Sequence, residues 1–254
     1  MQILMIGFGA MGSALLKQWQ ANCKITIIDP FKEDCLTSIK ELPLSYAPDV
    51  VLVAIKPQVL AEILPTYAKF SGALFISIAA GIKCERYQMW LGTEIRLARV
   101  MPNLAVQVGE SASAYVLNEN CSDDDDKLVH ELFTQVGIVK KLADERLFDA
   151  VTALSGSGPA YVYYLCETLS DAAQHLGLDA EFADEFARQT IIGAAATLKE
   201  LSESPEQLRA NVTSKGGTTQ AALNVLMVGD ALQTLFSKAL TAARNRGQYL
   251  ARNL

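Results

Sequence analysis

Short, continuously apolar runs alternate with helical patterns along about the first hundred residues of the chain. Continuous rather than alternating hydrophobicity is typical of strands that are buried on both faces. Strands that alternate with helices form right-handed βαβ units, so the pattern predicts a doubly wound parallel sheet that binds ligands beyond the carboxyl ends of its strands. The runs that predict strands are residues 3–6, 25–28, 50–55, 74–78 and 95–100.

The second half of the chain has a different pattern. Residues 112–116 and 137–142 predict two further short strands, with an amphipathic helix at 128–136 between them. From about residue 145 only helical patterns follow, including segments at 159–177 and 182–201.

The segment 182–201 is apolar or small on nearly every face, so it must be buried. A helical domain of about 100 residues offers few helices to bury it, which indicates a partner subunit. We therefore expect a dinucleotide-binding domain at residues 1–150 and an all-α, substrate-binding dimerisation domain at 151–254.

Three glycines, Gly7, Gly9 and Gly12, connect the first apolar run to a helical pattern, which is the context of a Rossmann-type dinucleotide-binding turn. The first permits a tight turn, the second lets a pyrophosphate approach the backbone, and the third lets the helix pack closely on the strand. Asp29 ends the second run, where an acidic residue contacts the ribose in such folds. The alternative is a strand-to-helix turn that binds nothing, and the position of Asp29 favours dinucleotide binding.

The residues that follow the third and fourth runs are also candidates for ligand contacts. Ala79 and Ala80 are small enough for a ribose or a flat ring to lie against the backbone. Lys56, before Pro57, has two equally favoured interpretations: contact with a phosphate or carboxamide, or a solvated lysine at a helix start.

Composition excludes several classes of function. The net charge of -6 and the lack of a basic stripe argue against nucleic-acid binding, and no apolar stretch approaches the roughly 20 residues that span a membrane. Five scattered cysteines fit no metal motif and predict reduced thiols in a cytoplasmic protein. We expect no signal peptide, because the first predicted strand begins at residue 2 or 3. We expect no metal site: the two histidines fit surface or structural roles, and the acidic run 123–126 fits a solvated helix start.

A second glycine loop lies at residues 211–223, where Gly216 and Gly217 separate two helical segments. Thr218 or Thr219 is predicted to open the second helix as its N-cap. Backbone N–H groups at such a helix start suit a carboxylate, although a plain capped turn between helices fits this loop equally well. Together the two glycine loops indicate a nicotinamide-dependent reductase that acts on a small carboxylate.

The sequence resembles the pyrroline-5-carboxylate reductase family over essentially its whole length. The resemblance implies a Rossmann domain followed by a helical domain that forms dimers and, in some members, decamers. It implies reduction of 1-pyrroline-5-carboxylate to L-proline by NADPH or NADH. The matching stretches are residues 6–12, 53–57, 77–81, 99–103, 149–161 and 212–219.

The resemblance also implies roles for individual residues. Thr219 matches the catalytic threonine that hydrogen-bonds the ring nitrogen of the substrate. The other substrate-binding positions are Glu145, Asn211, Ser214, Gly217 and Thr218. With Asp29, the cofactor-binding positions are Ile6, Gly7, Phe8, Gly9, Ala10, Met11, Ala54, Ile55, Lys56, Pro57, Ala79 and Ala80.

Two positions depart from the family pattern. Lys215 stands where the family usually has proline, which loosens the loop and adds a positive charge near the expected carboxylate. Asp29 suits a ribose 2′-hydroxyl and repels a 2′-phosphate, although Lys32 is close enough in sequence to compensate. The preference between NADH and NADPH is therefore open.

Two other functions compete with this interpretation. A β-hydroxyacid dehydrogenase also joins a Rossmann domain to helices, but it uses a catalytic lysine in the first long helix, and residues 159–177 contain no lysine. A non-enzymatic dinucleotide-binding protein could use the same fold, because fold alone does not determine function.

Overall fold

The computed structural model describes residues 1–253, with side chains described up to Ala251. The chain forms two compact units. The first comprises Met1–Pro159 together with the end of the chain from Ala242, and the second comprises Ala160–Thr241.

The first unit is built on a seven-stranded sheet in the order β2-β1-β3-β4-β5-β6-β7. Every predicted strand is present, with ends that differ from the prediction by one or two residues. The strands are β1 Gln2–Ile6, β2 Lys24–Ile28, β3 Val50–Val53, β4 Leu74–Ser77, β5 Arg96–Met101, β6 Ser111–Leu117 and β7 Gly137–Lys141.

Neighbouring strands are parallel except for β5 and β6, which are antiparallel. The parallel sheet predicted for the first five strands is confirmed, and β6 joins it in the antiparallel direction. The connection between the two strands is short and contains only the 3₁₀ helix Leu104–Val108, whereas a parallel crossover needs about a dozen residues or more.

Both faces of the sheet are buried, as the continuous apolar runs predict. On β1, Ile3 and Met5 pack on one face in a cluster with Trp19 and Phe133, while Leu4 and Ile6 belong to the cluster on the other face. The α-helices of this unit are α1 Ala10–Trp19, α2 Leu60–Ile63, α3 Cys84–Leu91, α4 Asp123–Thr134 and α5 Phe148–Val151.

The acidic run 123–126 starts α4, as predicted, and Ser122 caps the helix in a capping box with Asp125. The expectation that this start is solvated is wrong for two of its carboxylates. Asp125 is buried and pairs with Arg96 at 2.7 Å, and Asp126 pairs with Lys141 at 2.6 Å. These pairs tie the helix start to the strands.

Helices alone form the second unit, and few of its side chains are buried. The helices that lie in it wholly or in part are α6 Gly158–His175, α7 Ala180–Glu200, α8 Pro205–Asn211, α9 Thr218–Met227 and α10 Ala231–Asn253. On α7, Ala183 and Ala187 are buried, but Phe182, Phe186 and Ile192 are 40 to 58% exposed. The burial expected for this helix is therefore not achieved within a single chain. None of the helices described is both long enough and apolar enough to cross a membrane.

Candidate active site

The first glycine loop joins β1 to α1, and two of its glycines are required by the backbone itself. Gly7 has a φ of +89°, a conformation that side chains disfavour, and a Cβ there would lie 2.8 Å from the carbonyl oxygen of Ala54. A Cβ on Gly12 would lie 2.9 Å from the carbonyl oxygen of Gly7. The lack of a side chain at Gly7 and Gly12 lets the helix pack closely against the sheet.

Gly9 differs, because a Cβ there would meet no protein atom within 4 Å. Gly9 is also the N-cap of α1, and no side chain caps this helix. The first N–H groups of α1 therefore face open space at the positive end of the helix, which is the arrangement that binds phosphate groups. The residues present fit a dinucleotide pyrophosphate.

The carboxylate of Asp29, just after β2, is hydrogen-bonded to this loop. One oxygen accepts a hydrogen bond from the Phe8 N–H at 2.7 Å, and the other accepts one from the Phe31 N–H at 2.9 Å. Asp29 thus holds the glycine loop beside the end of β2. The Phe31 ring, two residues further on, is 92% exposed.

The predicted cofactor residues after β3 and β4 lie at the same edge of the sheet as the glycine loop. The Ala54 N–H donates to the Ile6 carbonyl at 2.8 Å, and Lys56 is the exposed N-cap of a short 3₁₀ helix, Pro57–Val59. After β4, the Ala79 N–H donates to the Ser77 hydroxyl at 3.3 Å. Strand order therefore brings all the predicted cofactor-binding residues of this unit to one edge.

Glu145 lies in the short 3₁₀ helix Glu145–Leu147 after β7, where it pairs with the buried Arg99 of β5. The Glu145 carboxylate also accepts a hydrogen bond from the Cys84 N–H at 2.9 Å. Burial alone would raise the pKa of Glu145, but the Arg99 guanidinium and these hydrogen bonds outweigh burial and lower it. Glu145 is therefore ionised at neutral pH.

Arg99 was missed as a site residue. Its guanidinium also lies over the Phe148 ring, 4.1 Å from the ring centre. The signal in the sequence is the pair of arginines, Arg96 and Arg99, inside the otherwise apolar run 95–100, because a buried charge needs a partner.

Two cavities of the first unit, of about 550 and 540 Å³, are both lined by Glu145. Cys84 lines the first cavity. Burial and, to a smaller extent, the nearby Glu145 charge raise the pKa of the Cys84 thiol to about 12, so the thiol stays protonated. Within residues 1–253, no group of three or more histidine, cysteine or acidic side chains is placed to hold a metal ion.

The second glycine loop lies within the helical unit, between α8 and α9. Gly216 has a φ of +75°, and the Gly217 N–H closes the turn on the Ser214 carbonyl at 3.0 Å. The N-cap of α9 is Gly217, with no side-chain cap, so the prediction of a threonine N-cap is wrong. The turn places Thr218 and Thr219 inside the first helical turn, where their hydroxyls do not cap it.

The remaining predicted residues of this loop are also placed by the helices. Asn211 is the last residue of α8, and its side-chain oxygen accepts a hydrogen bond from Gln207 at 2.8 Å. No side chain caps α9 at Gly217, so the first N–H groups of this helix are open to an anion. Lys215 is exposed in the same loop.

Comparison with known proteins gives consistent matches for both parts of the chain. Residues 145–250 match the family model described as pyrroline-5-carboxylate reductase dimerisation, and residues 2–81 match NADP oxidoreductase, coenzyme F420-dependent. A pyrroline-5-carboxylate reductase of Haemophilus influenzae is 36% identical, covering 97% of this chain and 96% of the relative. One from Aquifex aeolicus is 37% identical, covering 86% of each chain.

Solved structures agree with these matches. The chain is similar to a pyrroline-5-carboxylate reductase from Coxiella burnetii, with a TM-score of 0.89, 35% identity and 98% of each chain covered. The chain belongs to the pyrroline-5-carboxylate reductase family. The predicted family, the Rossmann-type fold with a helical C-terminal region, and the class of NAD(P)-dependent reductase are confirmed. A Plasmodium falciparum member solved with NADP bound has a TM-score of 0.84 and 28% identity, covering 98% of each chain.

Membership in this family also decides between the competing functions. The relatives at 37% and 36% identity, which cover 86% and 97% of this chain, are pyrroline-5-carboxylate reductases, and this favours the reductase over the two competing functions.

Proposed function

We propose that this protein reduces 1-pyrroline-5-carboxylate to L-proline with a reduced nicotinamide cofactor. The observation that carries the proposal is the family match, which extends across both units, with relatives named for this activity. The open, uncapped start of α1 behind Gly9 adds physical support, because it provides the phosphate site that such a cofactor needs.

In this proposal the sheet edge of the first unit holds the cofactor. The glycine loop from Ile6 to Met11 binds the pyrophosphate, while Ala54 to Pro57 and the Ala79 and Ala80 backbone line the rest of the nucleotide site. When bound, the nicotinamide supplies the hydride. The task of the protein is to align the two reactants and to stabilise their charges.

The preference between the two nicotinamide cofactors depends on Asp29. Its two oxygens are fixed by the N–H groups of Phe8 and Phe31, so the carboxylate cannot turn away from a ribose bound beside the loop. A fixed negative charge accepts a hydrogen bond from a 2′-hydroxyl and repels a 2′-phosphate. We therefore expect a higher kcat/KM with NADH than with NADPH. A strong preference for NADPH would show that Lys32 or another cation compensates.

The second glycine loop holds the substrate in this proposal. The open N–H groups at the start of α9, with Ser214, Gly217 and Thr218, bind the carboxylate, and Asn211 lines the same loop. A helix start contributes about 0.3–1 kcal/mol to binding an exposed anion, and more when the anion is buried. The exposed Lys215 adds a positive charge to this surface.

The chemistry is a hydride addition to a carbon–nitrogen double bond. The hydride adds to C5 of the ring, the electron pair of the double bond moves to nitrogen, and the nitrogen needs one proton for a neutral imine and none for an iminium ion. The Thr219 hydroxyl holds the ring nitrogen and so fixes which carbon faces the hydride. This role makes Thr219 the catalytic residue.

Glu145 is proposed as a further substrate-site residue. Its pKa is lowered, so it carries a negative charge that favours the iminium form of the substrate. The hydrogen bonds described at this carboxylate fall on Oε1, toward Arg99 and Cys84, and Oε2 is the atom that would face the substrate.

We propose that the protein works as a homodimer through its helical unit. The apolar side chains exposed on α7 need a cover, and residues 145–250 match a dimerisation family model. Further association into a decamer, as the family resemblance implies, also belongs to the proposal. So does a cytoplasmic location, which we expect from the five free cysteines.

The variant Thr219→Ala tests the catalytic assignment. We expect kcat/KM for pyrroline-5-carboxylate to fall by about tenfold or more, with an unchanged melting temperature, because the hydroxyl is lost without a core contact. Thr197→Ala is the matched control, since Thr197 is an exposed helical threonine bonded to its own helix at the Ala194 carbonyl. Equal turnover by both variants would remove Thr219 from the mechanism.

A further inference from the structure

Asn103 follows β5 and is buried, with hydrogen bonds in three directions. Its N–H donates to the Ser111 hydroxyl at 3.1 Å, and its side-chain oxygen accepts from the Ala105 N–H at 3.0 Å. The third bond reaches a distant segment: the side-chain amide donates to the Ser155 carbonyl at 3.0 Å. Asn103 therefore shapes its own turn and also holds another part of the chain.

Ser155 lies in a π-helical segment, Thr152–Gly156, where the Ser157 N–H bonds back to the Thr152 carbonyl at 2.9 Å. In an ordinary α-helix the Ser155 carbonyl would accept a hydrogen bond from residue 159. That residue is Pro159, which has no N–H. The Asn103 amide donates to this carbonyl, for which residue 159 offers no N–H.

The position of this contact connects it with function. The π segment is followed by α6, along which the chain passes from the first unit into the second after Pro159. Gly156 in the segment lies close to β5, since a Cβ there would be 3.4 Å from the Met101 sulfur. The carboxyl end of β5 belongs to the edge where ligands bind in such sheets, and π-helical turns are frequent at functional sites.

We propose that Asn103 is a positioning residue for hydride transfer. Its amide fixes the π segment to the turn that follows β5. Because the carboxyl end of β5 belongs to the ligand-binding edge of the sheet, we expect this contact to keep the reactants aligned there. The inference rests on the proposed reductase function, in which the two glycine loops bind the two reactants.

The first test is Asn103→Asp, which retains an acceptor for the Ala105 N–H and loses the donor to Ser155. We expect kcat to fall by about tenfold to a hundredfold, because small misplacements of reacting groups have effects of this size. The dissociation constant for NADH, measured by fluorescence titration, should change by less than about twofold, since the side-chain hydrogen bonds of Asn103 go to Ser155 and Ala105, outside the glycine loop. Ser111→Ala is the control, because it removes the acceptor of the Asn103 backbone N–H and the bond to the Ser113 hydroxyl but leaves the bond from Asn103 to Ser155 in place.

A second test separates positioning from simple stability. Asn103→Ala should lower both the melting temperature and kcat. Adding Pro159→Ala gives residue 159 an N–H that can satisfy the Ser155 carbonyl within the helix. The double variant should therefore regain melting temperature but not kcat, because the link to β5 is still missing.

The outcomes distinguish this inference from the proposed function. Recovery of kcat together with melting temperature in the double variant, or a wild-type kcat in Asn103→Asp, would overturn the positioning role alone. Failure of the wild-type protein to reduce pyrroline-5-carboxylate would overturn the proposed function and this inference with it.

Discussion

The glycine loop allows one prediction to be worked out in detail, because its glycines serve different purposes. In Gly9→Ala the new methyl group would meet no protein atom within 4 Å, and the φ of −79° suits alanine. Restricting the unfolded chain stabilises the fold by about 0.4–1 kcal/mol, while alanine is a poorer N-cap than glycine by a similar amount. The free energy of unfolding without cofactor should therefore stay within about 0.5 kcal/mol of the wild-type value.

Cofactor binding should respond in the opposite way. The methyl group would occupy the space in front of the first N–H groups of α1, where the pyrophosphate is proposed to lie. We expect the dissociation constant for NADH to rise by at least about tenfold, which corresponds to about 1.4 kcal/mol. Fluorescence titration of the reduced cofactor measures this change.

Gly7→Ala is the contrasting variant. The φ of +89° costs a non-glycine residue about 1–2 kcal/mol, and the Cβ would lie 2.8 Å from the Ala54 carbonyl oxygen. Urea unfolding without cofactor should show a loss of about 2 kcal/mol or more. Unchanged cofactor affinity in Gly9→Ala, or an equal loss of stability in both variants, would refute the division of roles.

Three further predictions follow from the ion pair and the helical unit. Arg99→Met should lower the free energy of unfolding by about 2 kcal/mol in urea titrations, less than the roughly 3–5 kcal/mol of a fully buried pair, because Glu145 is 30% exposed. The folded state lowers the pKa of Glu145 below its ordinary value of about 4.5, so the stabilisation is complete above that pH and is lost as the pH falls through the lower folded value. Glu145→Gln should therefore flatten the acid side of the stability profile, and an unaltered profile would contradict the assignment. Phe186→Glu should convert a dimer to a monomer in sedimentation experiments, because this ring is 55% exposed and stacks on Phe182.

Local sequence patterns predict most of this fold for a physical reason. Strands in the middle of such a sheet are mostly apolar, so the apolar runs identify the first five strands to within one or two residues. The two shorter strands that follow, β6 and β7, also lie within one residue of their predicted ends. The glycine loop is equally predictable from the sequence, because Gly7 and Gly12 occupy positions where a Cβ would collide with the backbone.

The features that sequence reasoning missed depend on contacts between distant residues. The antiparallel β6 is not visible in an apolar run, because both strand directions require the same pattern. The π-helical segment before Pro159 reads as ordinary helix, and its partner Asn103 lies more than fifty residues earlier. Arg99 has the same character: its charge marks it as unusual, but only the fold brings Glu145 to it.

The unburied apolar face of α7 shows a related limit. The sequence requires burial of this helix, but a single chain leaves Phe182 and Phe186 exposed. The requirement becomes physically consistent when a second subunit is included, which is why the helical pattern predicted an assembly as well as a fold.

The central claim is that the two glycine loops serve one reaction between a reduced nicotinamide and a cyclic imino acid. Its most direct test is a steady-state assay of the purified wild-type protein with pyrroline-5-carboxylate, following the absorbance of the reduced cofactor and the proline formed. We expect oxidation of one cofactor molecule for each proline produced, and a faster reaction with NADH than with NADPH. Tight cofactor binding with no proline formed from either cofactor would contradict it.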